Sequence, residues 1–321
     1  MSEESTEIKL SAVVAEKQDN IRLDQAAAEL FPEYSRARLQ SWIGDGMLLL
    51  NGKQAKRKEK VSLGDSLELT AELKTEQAWV ADEIDLCVVY EDDQLIVVNK
   101  PQGLITHPGA GNPRGTLANG LLHHYPELSQ IPRAGIVHRL DKDTSGLMVV
   151  ARSLVAHNSL VHQLQERSVS RHYLALVHGR PPPEGTINKA LGRHPQQRQK
   201  MAIREDSGKP AITHFETLKL YEGCALVECK LETGRTHQIR VHMTDLGFPL
   251  VGDTQYGTRR RVSRSIAKGI QQALSEFPRQ ALHAKKLVLK HPADGSEASW
   301  EAPIPDDFKQ LLEIVSKRIV S

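Results

Sequence analysis

The stretch HRLDKDTSG, His138 to Gly146, sets two carboxylates, an arginine, a lysine, a histidine and two hydroxyls between the apolar runs AGIV and LMVVA. Such a cluster is either a solvated turn or an acid held at the mouth of a sheet. If strand alternation runs through it, Arg139 and Asp141 share one side and Leu140 takes the other. Asp141 then stands near apolar walls, while Lys142 and Asp143 offset one another in solvent. An acid in a partly dry site needs a counter-charge to stay ionised. Spacing alone also leaves Asp141 as a loop acid paired with Arg139. Ser145 and Gly146 allow a tight reversal into the next strand. In HQIRVH, Arg240 reads as an inward-capable base on a strand, or equally as an exposed cross-strand partner.

Three further islands have the same texture: NKPQGLITHPG at 99–109, RHYLALVHG at 171–179 and LETGRTHQIRVHM at 231–243. One such island is easily a turn. Four in one sheet domain suggest a cleft lined by polar groups. Several chemistries are excluded. No Gly-x-Gly-x-x-Gly follows a strand and no phosphate-loop motif occurs, which argues against dinucleotide and nucleoside-triphosphate use. The 14 histidines raise the question of metal. His123 and His124 are adjacent, however, and no carboxylate separates His237 from His242, so no metal is expected. Gly-x-Ser-x-Gly is absent, so a hydrolase elbow has no support. Cys87, Cys224 and Cys229 make neither a disulfide framework nor a zinc pair, and read as packing residues. Cys224 and Cys229 differ by an odd step, so on one strand they point to opposite faces.

The elements that must hold these residues read as α+β. CVVYEDDQLIVVNKPQG is strand, turn, strand. GTLANGLLHHY and LVAHNSLVHQLQERS are helices. SGLMVVARS, HYLALVHG, AITHFETLKLY, CALVECKLET and KKLVLKHP are strands. Near-alternating patterns predict a mixed, mainly antiparallel sheet. Before it stands a smaller module at 19–75. RLDQAAAEL is a helix with Leu23, Ala27 and Leu30 on one face. Ser35 caps a second helix with Leu39, Trp42 and Ile43 in a stripe, and Gly46 ends it. MLLLNGK is a strand entering an Asn51–Gly52 turn. Residues 1–18 read as an N-terminal tail, 76–84 as a linker and 85–321 as the larger domain.

Of the 321 residues 39% are hydrophobic, and the formal net charge is +2. That near-neutrality hides basic clusters at Arg36 and Arg38, at Lys53 to Lys60, at Arg193 to Lys200 and at Arg259 to Arg264, which point to a polyanion partner. No apolar run is long enough to span a bilayer, and the acidic opening lacks the order of a signal peptide, so a cytosolic protein is expected.

The small module, with its RLD opening, SRARLQSWI helix and MLLLNGK strand-turn, resembles the S4 RNA-binding domain, whose exposed helix and hairpin track RNA phosphates. That assigns Arg36, Arg38, Lys53, Lys56 and Arg57 to RNA binding. HRLDKDTSGLMVVA resembles the signature of the RluA family of pseudouridine synthases. YEDDQLIVVNKPQGLITHPG, RHYLALVHG and LETGRTHQIRVHMTDLGFPLVGDTQYG resemble its other motifs, over about residues 85–305. The resemblance implies a pseudouridine synthase catalytic domain that isomerises uridines without a cofactor. Asp141 matches the catalytic aspartate, Tyr173 the tyrosine that contacts the base, and Arg240 the basic residue paired with the aspartate. Arg139 matches the arginine that displaces the uridine. His138 and Lys100 are placed at the substrate, as are Arg235 and His237, which belong to the same motif as Arg240 and read as scaffold first. The implied partner is large-subunit ribosomal RNA or a pre-ribosomal particle. The implied targets are the intersubunit-bridge stem-loop, helix 69 of 23S RNA, with support of subunit assembly as the outcome. The protein is expected to act as a monomer away from membranes.

Overall fold

The computed structural model describes residues 6–32, 34, 36–73, 79–109, 111–197, 199–257 and 266–317. The Ser35 cap, the Arg259–Arg264 cluster and residues 1–5 and 76–78 of the expected tail and linker lie outside the described residues. The chain divides into two units, Met1–Ala78 and Trp79–Ser321.

The first unit contains β1 (Thr6–Val13), α1 (Leu23–Leu30), α2 (Arg36–Gly44), β2 (Leu48–Leu50) and β3 (Ser66–Leu73). Its sheet runs β1-β3-β2, antiparallel throughout. The stretch expected as a tail therefore differs: Thr6–Val13 pairs with Ser66–Leu73 along its whole length. TEIKLSAV alternates apolar and polar residues, and an edge strand needs no more than that. Leu23, Ala27, Leu39, Ile43 and Leu48 form the core with Leu67 and Leu69. Gly46 follows α2 with positive φ, and the Met47 amide returns to the Trp42 carbonyl, the closure that ends a helix on glycine. Asn51 (φ 50°) and Gly52 (φ 69°) make the tight turn, bracketed by the Leu50–Lys53 pair.

The second unit is built on β4 (Val88–Glu91), β5 (Leu95–Lys100), α3 (Leu117–His124), β6 (Ser145–Ala151), α4 (Leu154–Gln165), β7 (Ser170–His178) and β8 (Glu184–Asn188). It continues with β9 (Leu191–Arg193), β10 (Met201–Ile203), β11 (Ile212–Leu220), β12 (Cys224–Leu231), α5 (Gln238–Asp245), α6 (Lys268–Glu276), β13 (Leu282–Lys290), β14 (Glu297–Glu301) and α7 (Asp306–Ser316). The main sheet runs β4-β5-β6-β13-β7-β12-β11-β8, with β14 on β13. Among the described strands of this sheet only β6 and β13 pair in parallel. One face, with Ile96, Met148, Val150, Ala175 and Val227, packs against α3 and α5. The other packs β5 and β6 on α4, and β7 on α6 and α7. Cys229 belongs to the first face and Cys224 to the second, as their odd spacing predicts. Residues 79–84, expected as linker, lie against α3: Asn119 donates to the Val80 carbonyl and Asp82 accepts from the Gly115 amide. Among the described residues no helix is long and apolar enough to cross a membrane.

Gly146 does not turn the chain. It lies within β6 at φ 115°, where a Cβ would collide with the Ala284 carbonyl and stand 2.6 Å from its amide nitrogen. Gly146→Ala is expected to cost on the order of 3 kcal/mol, since both strain and overlap apply. Gly52→Ala, at an exposed turn with open space, is expected to cost about 1 kcal/mol. Denaturant midpoints of the two variants check the difference.

Candidate active site

Loop 138–144, β7, the turn after β12 and the start of α5 line one cleft of about 580 Å³ in the second unit. A left-handed turn at Arg133, Ala134 and Gly135 launches the loop, with φ between 50° and 75°. Leu140 is buried. The loop backbone is then held by side chains rather than by a ladder. Thr106 donates to the Leu140 carbonyl at 2.8 Å, and Arg279 to that of Asp143 at 3.2 Å. His138 Nε2 accepts from the Val149 amide at 3.0 Å, and burial pushes this ring down to about 3, so it is neutral. With its backbone fixed, the loop projects Asp141 and Arg139 into the cleft.

Lys100 sits beneath this loop, 1% exposed, and does not line the cleft. Its ammonium donates to the carbonyls of Pro101 and Leu104 at 2.8 Å and of Lys142 at 3.0 Å. Burial pushes it down to about 7, against the upward pull of Asp143 and Asp141. This corrects the substrate-binding expectation: the side chain is consumed by three carbonyls and staples the Asp141 loop to the preceding turn. Lys100→Met leaves those carbonyls without this donor. It is expected to cost about 2–4 kcal/mol of stability and to lower kcat with little change in RNA affinity. Thermal melts and single-turnover rates check this.

Asp141 Oδ2 accepts from Arg240 Nη1 at 3.0 Å, and His237 Nε2 lies 3.8 Å from Oδ1. Arg240 is on α5, a helix where alternation suggests a strand. Gln238 makes the difference. Its carbonyl accepts from Thr233 and from the Arg235 amide, and its amide donates to the Ile212 carbonyl and Thr213. That clamp, with His237 left-handed at φ 56°, turns the chain into a helix. Arg240 also donates twice to Asp253, from Nε at 2.7 Å and Nη2 at 3.0 Å, and to Gln255 at 3.0 Å. Burial opposes its charge, but Asp253 and Asp141 outweigh burial and hold its pKa above the ordinary value. Its guanidinium lies 4.9 Å from the centre of the Tyr256 ring.

Tyr256 Oη accepts from the Met201 amide and bonds His237 Nδ1 at 2.7 Å. Burial lowers the His237 pKa. A neutral ring that accepts the phenol proton at Nδ1 carries its own proton on Nε2, toward Asp141. Tyr173 is 6% exposed on the cleft wall, and burial raises its pKa. Two residues away on the same face is Arg171, also 6% exposed. Arg235 lines the cleft and donates to the Pro210 carbonyl at 3.1 Å. Arg139 is exposed at the rim.

The cleft therefore brings together Asp141, Tyr173, Arg240, Arg139, His138, Arg235 and His237, and omits Lys100. Reading by residue type overlooked Asp253, Gln255 and Tyr256 in GDTQYG, and Arg171. The signal for Asp253 was available, since a buried Arg240 serving one acid invites a second. The five residues expected to bind RNA are all in the first unit. Lys53, Lys56 and Arg57 are exposed around its turn. Arg36 and Arg22 both bond the fully buried Asp24, whose carboxyl is held at about 2: burial works against its charge, and Arg36, Gln40 and Arg22 outweigh that. Arg38 lies 5.9 Å from the Trp42 ring centre.

A family model described as RNA pseudouridylate synthase matches residues 94–245. The chain is 52% identical over 294 residues to the ribosomal large subunit pseudouridine synthase D of Pseudomonas aeruginosa, covering 92% of each chain. It is 48% identical over 309 residues to the protein of that name in Escherichia coli K12, covering 96% of this chain and 94% of the other. The fold resembles solved human RNA pseudouridylate synthase domain containing 1, with a TM-score of 0.53 and 30% identity over 70% of this chain and 85% of that one. It also resembles domain containing 4, with a TM-score of 0.56 and 26% identity over 71% and 92%.

Proposed function

Because the chain belongs to the RNA pseudouridylate synthase family, we propose that it isomerises uridines of large-subunit (23S) ribosomal RNA, in the intersubunit-bridge stem-loop helix 69, and thereby supports subunit assembly. The observation that carries this reading is the Asp141–Arg240 pair facing Tyr173 in one cleft, in a chain this similar to relatives named for the large subunit. In this reading the partner is the ribosomal RNA or a pre-ribosomal particle in the cytoplasm, and the protein acts as a monomer.

Isomerisation breaks the C1′–N1 bond and joins C5 to C1′, with no atom gained or lost, so no co-reactant is called for. Arg240 occupies Asp141 Oδ2, leaving Oδ1 as the oxygen that acts. It attacks C1′ as a nucleophile, or takes the C2′ proton to give a glycal. The uridine must first leave its stack, at a cost of a few kcal/mol. Arg139, exposed at the rim, offsets part of that by stacking its guanidinium in the vacated place. Tyr173 meets the base and relays the C5 proton toward N1 after the new bond forms, giving up its own phenol proton as it accepts that of C5. Arg235 and His237 complete the substrate wall, and His138 supports the loop from behind it.

The test is a map of pseudouridine in ribosomal and transfer RNA from cells with and without the gene, restored by wild type or by Asp141→Asn. Loss of helix 69 pseudouridine, restored only by wild type, is expected. Loss confined to transfer RNA would reassign the substrate. Normal assembly with Asp141→Asn would separate assembly from catalysis.

The first unit serves as the S4-like RNA-binding module in this reading. Each core cluster draws its residues from one unit only. Deleting residues 1–75 is expected to leave the second unit folded and to weaken ribosomal RNA binding about tenfold or more, with a shallower salt dependence. Filter binding across a salt series measures this, and unchanged affinity would remove the module from the account.

A further inference from the structure

When C1′–N1 breaks, the bonding pair goes to N1, and the base departs as a uracil anion delocalised over N1, O2 and O4. C1′ is satisfied by the Asp141 oxygen, or by a double bond to C2′ once Asp141 has taken that proton. The anion must then turn, present C5 to C1′ and return its C5 proton to N1 through the enzyme. Something has to hold a negative charge in a partly dry cleft meanwhile.

The other cleft groups are poorly suited. Arg240 is shared between Asp141 and Asp253. Burial pushes His107 and His138 down to about 4 and about 3, so neither is charged at neutral pH. Arg133, Arg139 and Arg167 are exposed, as phosphate-binding groups are, and Arg235 is only half-buried and commits its Nε to the Pro210 carbonyl. Arg171 differs from all of these. It is 6% exposed, lines the cleft and shares Tyr173's face of β7. Its Nη2 donates to the Glu232 carbonyl at 3.2 Å, and among the described residues its Nε has no hydrogen-bond partner and no carboxylate pairs with it. Gly234 makes the room, since a Cβ there would lie 2.6 Å from Arg171 Nη1.

A buried guanidinium without an acid is costly to keep, and that cost is relieved when an anion arrives. We propose that Arg171 stabilises the detached uracil anion while the base turns from N1 to C5. Its depth beside Tyr173 and opposite Leu231 suits a flat base rather than a phosphodiester. The inference rests on the isomerase reading given above.

The experiment compares single-turnover rates of wild type and Arg171→Gln on one RNA carrying either uridine or 5-fluorouridine at the target. Fluorine stabilises the departing anion, so help from the enzyme should matter less. Arg171→Gln is expected to slow uridine cleavage about 10²-fold or more and 5-fluorouridine cleavage less than about tenfold, with RNA affinity within about threefold. Gly234→Ala, which displaces the guanidinium but keeps its charge, should give the same pattern more weakly. Arg171→Lys decides the matter should the Gln variant not fold: it too should lose more on uridine than on 5-fluorouridine. Equal losses on both substrates, or weakened affinity with a shallower salt slope, would make Arg171 a phosphate contact and overturn the proposal. A wild-type rate would leave it a packing role. If wild type itself converts no uridine, the isomerase reading fails first, before Arg171 is in question.

Discussion

Asp141→Asn is expected to lower isomerisation by at least about 10⁴-fold while RNA affinity stays within about threefold. The amide has the carboxylate's shape, and its oxygen can still accept from Arg240 Nη1, now at 3.0 Å from Oδ2. Arg240 keeps both bonds to Asp253, so no buried cation is stranded. The Asp141–Arg240 pair is largely buried, but Arg240 keeps Asp253 and the amide keeps an acceptor for it, so the change in folding stability should stay at about 1–2 kcal/mol. What the amide cannot do is attack C1′ or take a proton from C2′. Both routes therefore fail together, and the variant tests the role without choosing between them. Tritium released from C5-labelled uridine in RNA reads the chemistry, because C5 exchanges its hydrogen for the sugar. A near-normal release rate would remove Asp141 from the reaction.

Much of this site was legible because it depends on residue type near strand ends. Arg139 and Asp141 stood out from apolar flanks, and β6, β7, β11 and β12 carry patterns that propensity and alternation both support. The failures have physical causes. Alternation was extended through 138–144, although that loop is held by Lys100, Thr106, His138 and Arg279, contacts that are distant in sequence. The same rule placed Arg240 on a strand, because HQIRVH alternates until the Gln238 clamp starts a helix. Gly146 suggested a turn, but β13 requires it, and β13 lies more than a hundred residues away in the chain. Lys100 was placed at the substrate by the resemblance of its motif, and only the fold reveals three carbonyls converging on it. Strand β1 was missed because acidic and polar residues surround it, while its partner β3 lies beyond both helices.

Asp253→Ala is expected to damage stability strongly. The side chain is 1% exposed and accepts from Arg240 twice and from the Gln255 and Tyr256 amides. Removing it leaves the largely buried guanidinium with Asp141 as its one acid among the described residues and leaves the Gln255 and Tyr256 amides without this acceptor, at a cost of about 3 kcal/mol. The rate should fall as well, by about 10²-fold, because Arg240 is no longer oriented on Asp141 and the Gln255–Tyr256 turn loosens around His237. Stability and chemistry can then be separated. A buried pair replaced on both sides by apolar groups is often as stable as the original. Arg240→Leu combined with Asp253→Leu should therefore regain much of the stability that Asp253→Ala loses. It should regain none of the activity, because Asp141 has lost its only close guanidinium among the described residues. Chemical denaturation and tritium release on the same three proteins give the comparison. Activity that returned with stability would mean that Arg240 serves the fold alone, and that Asp141 works without a cation beside it.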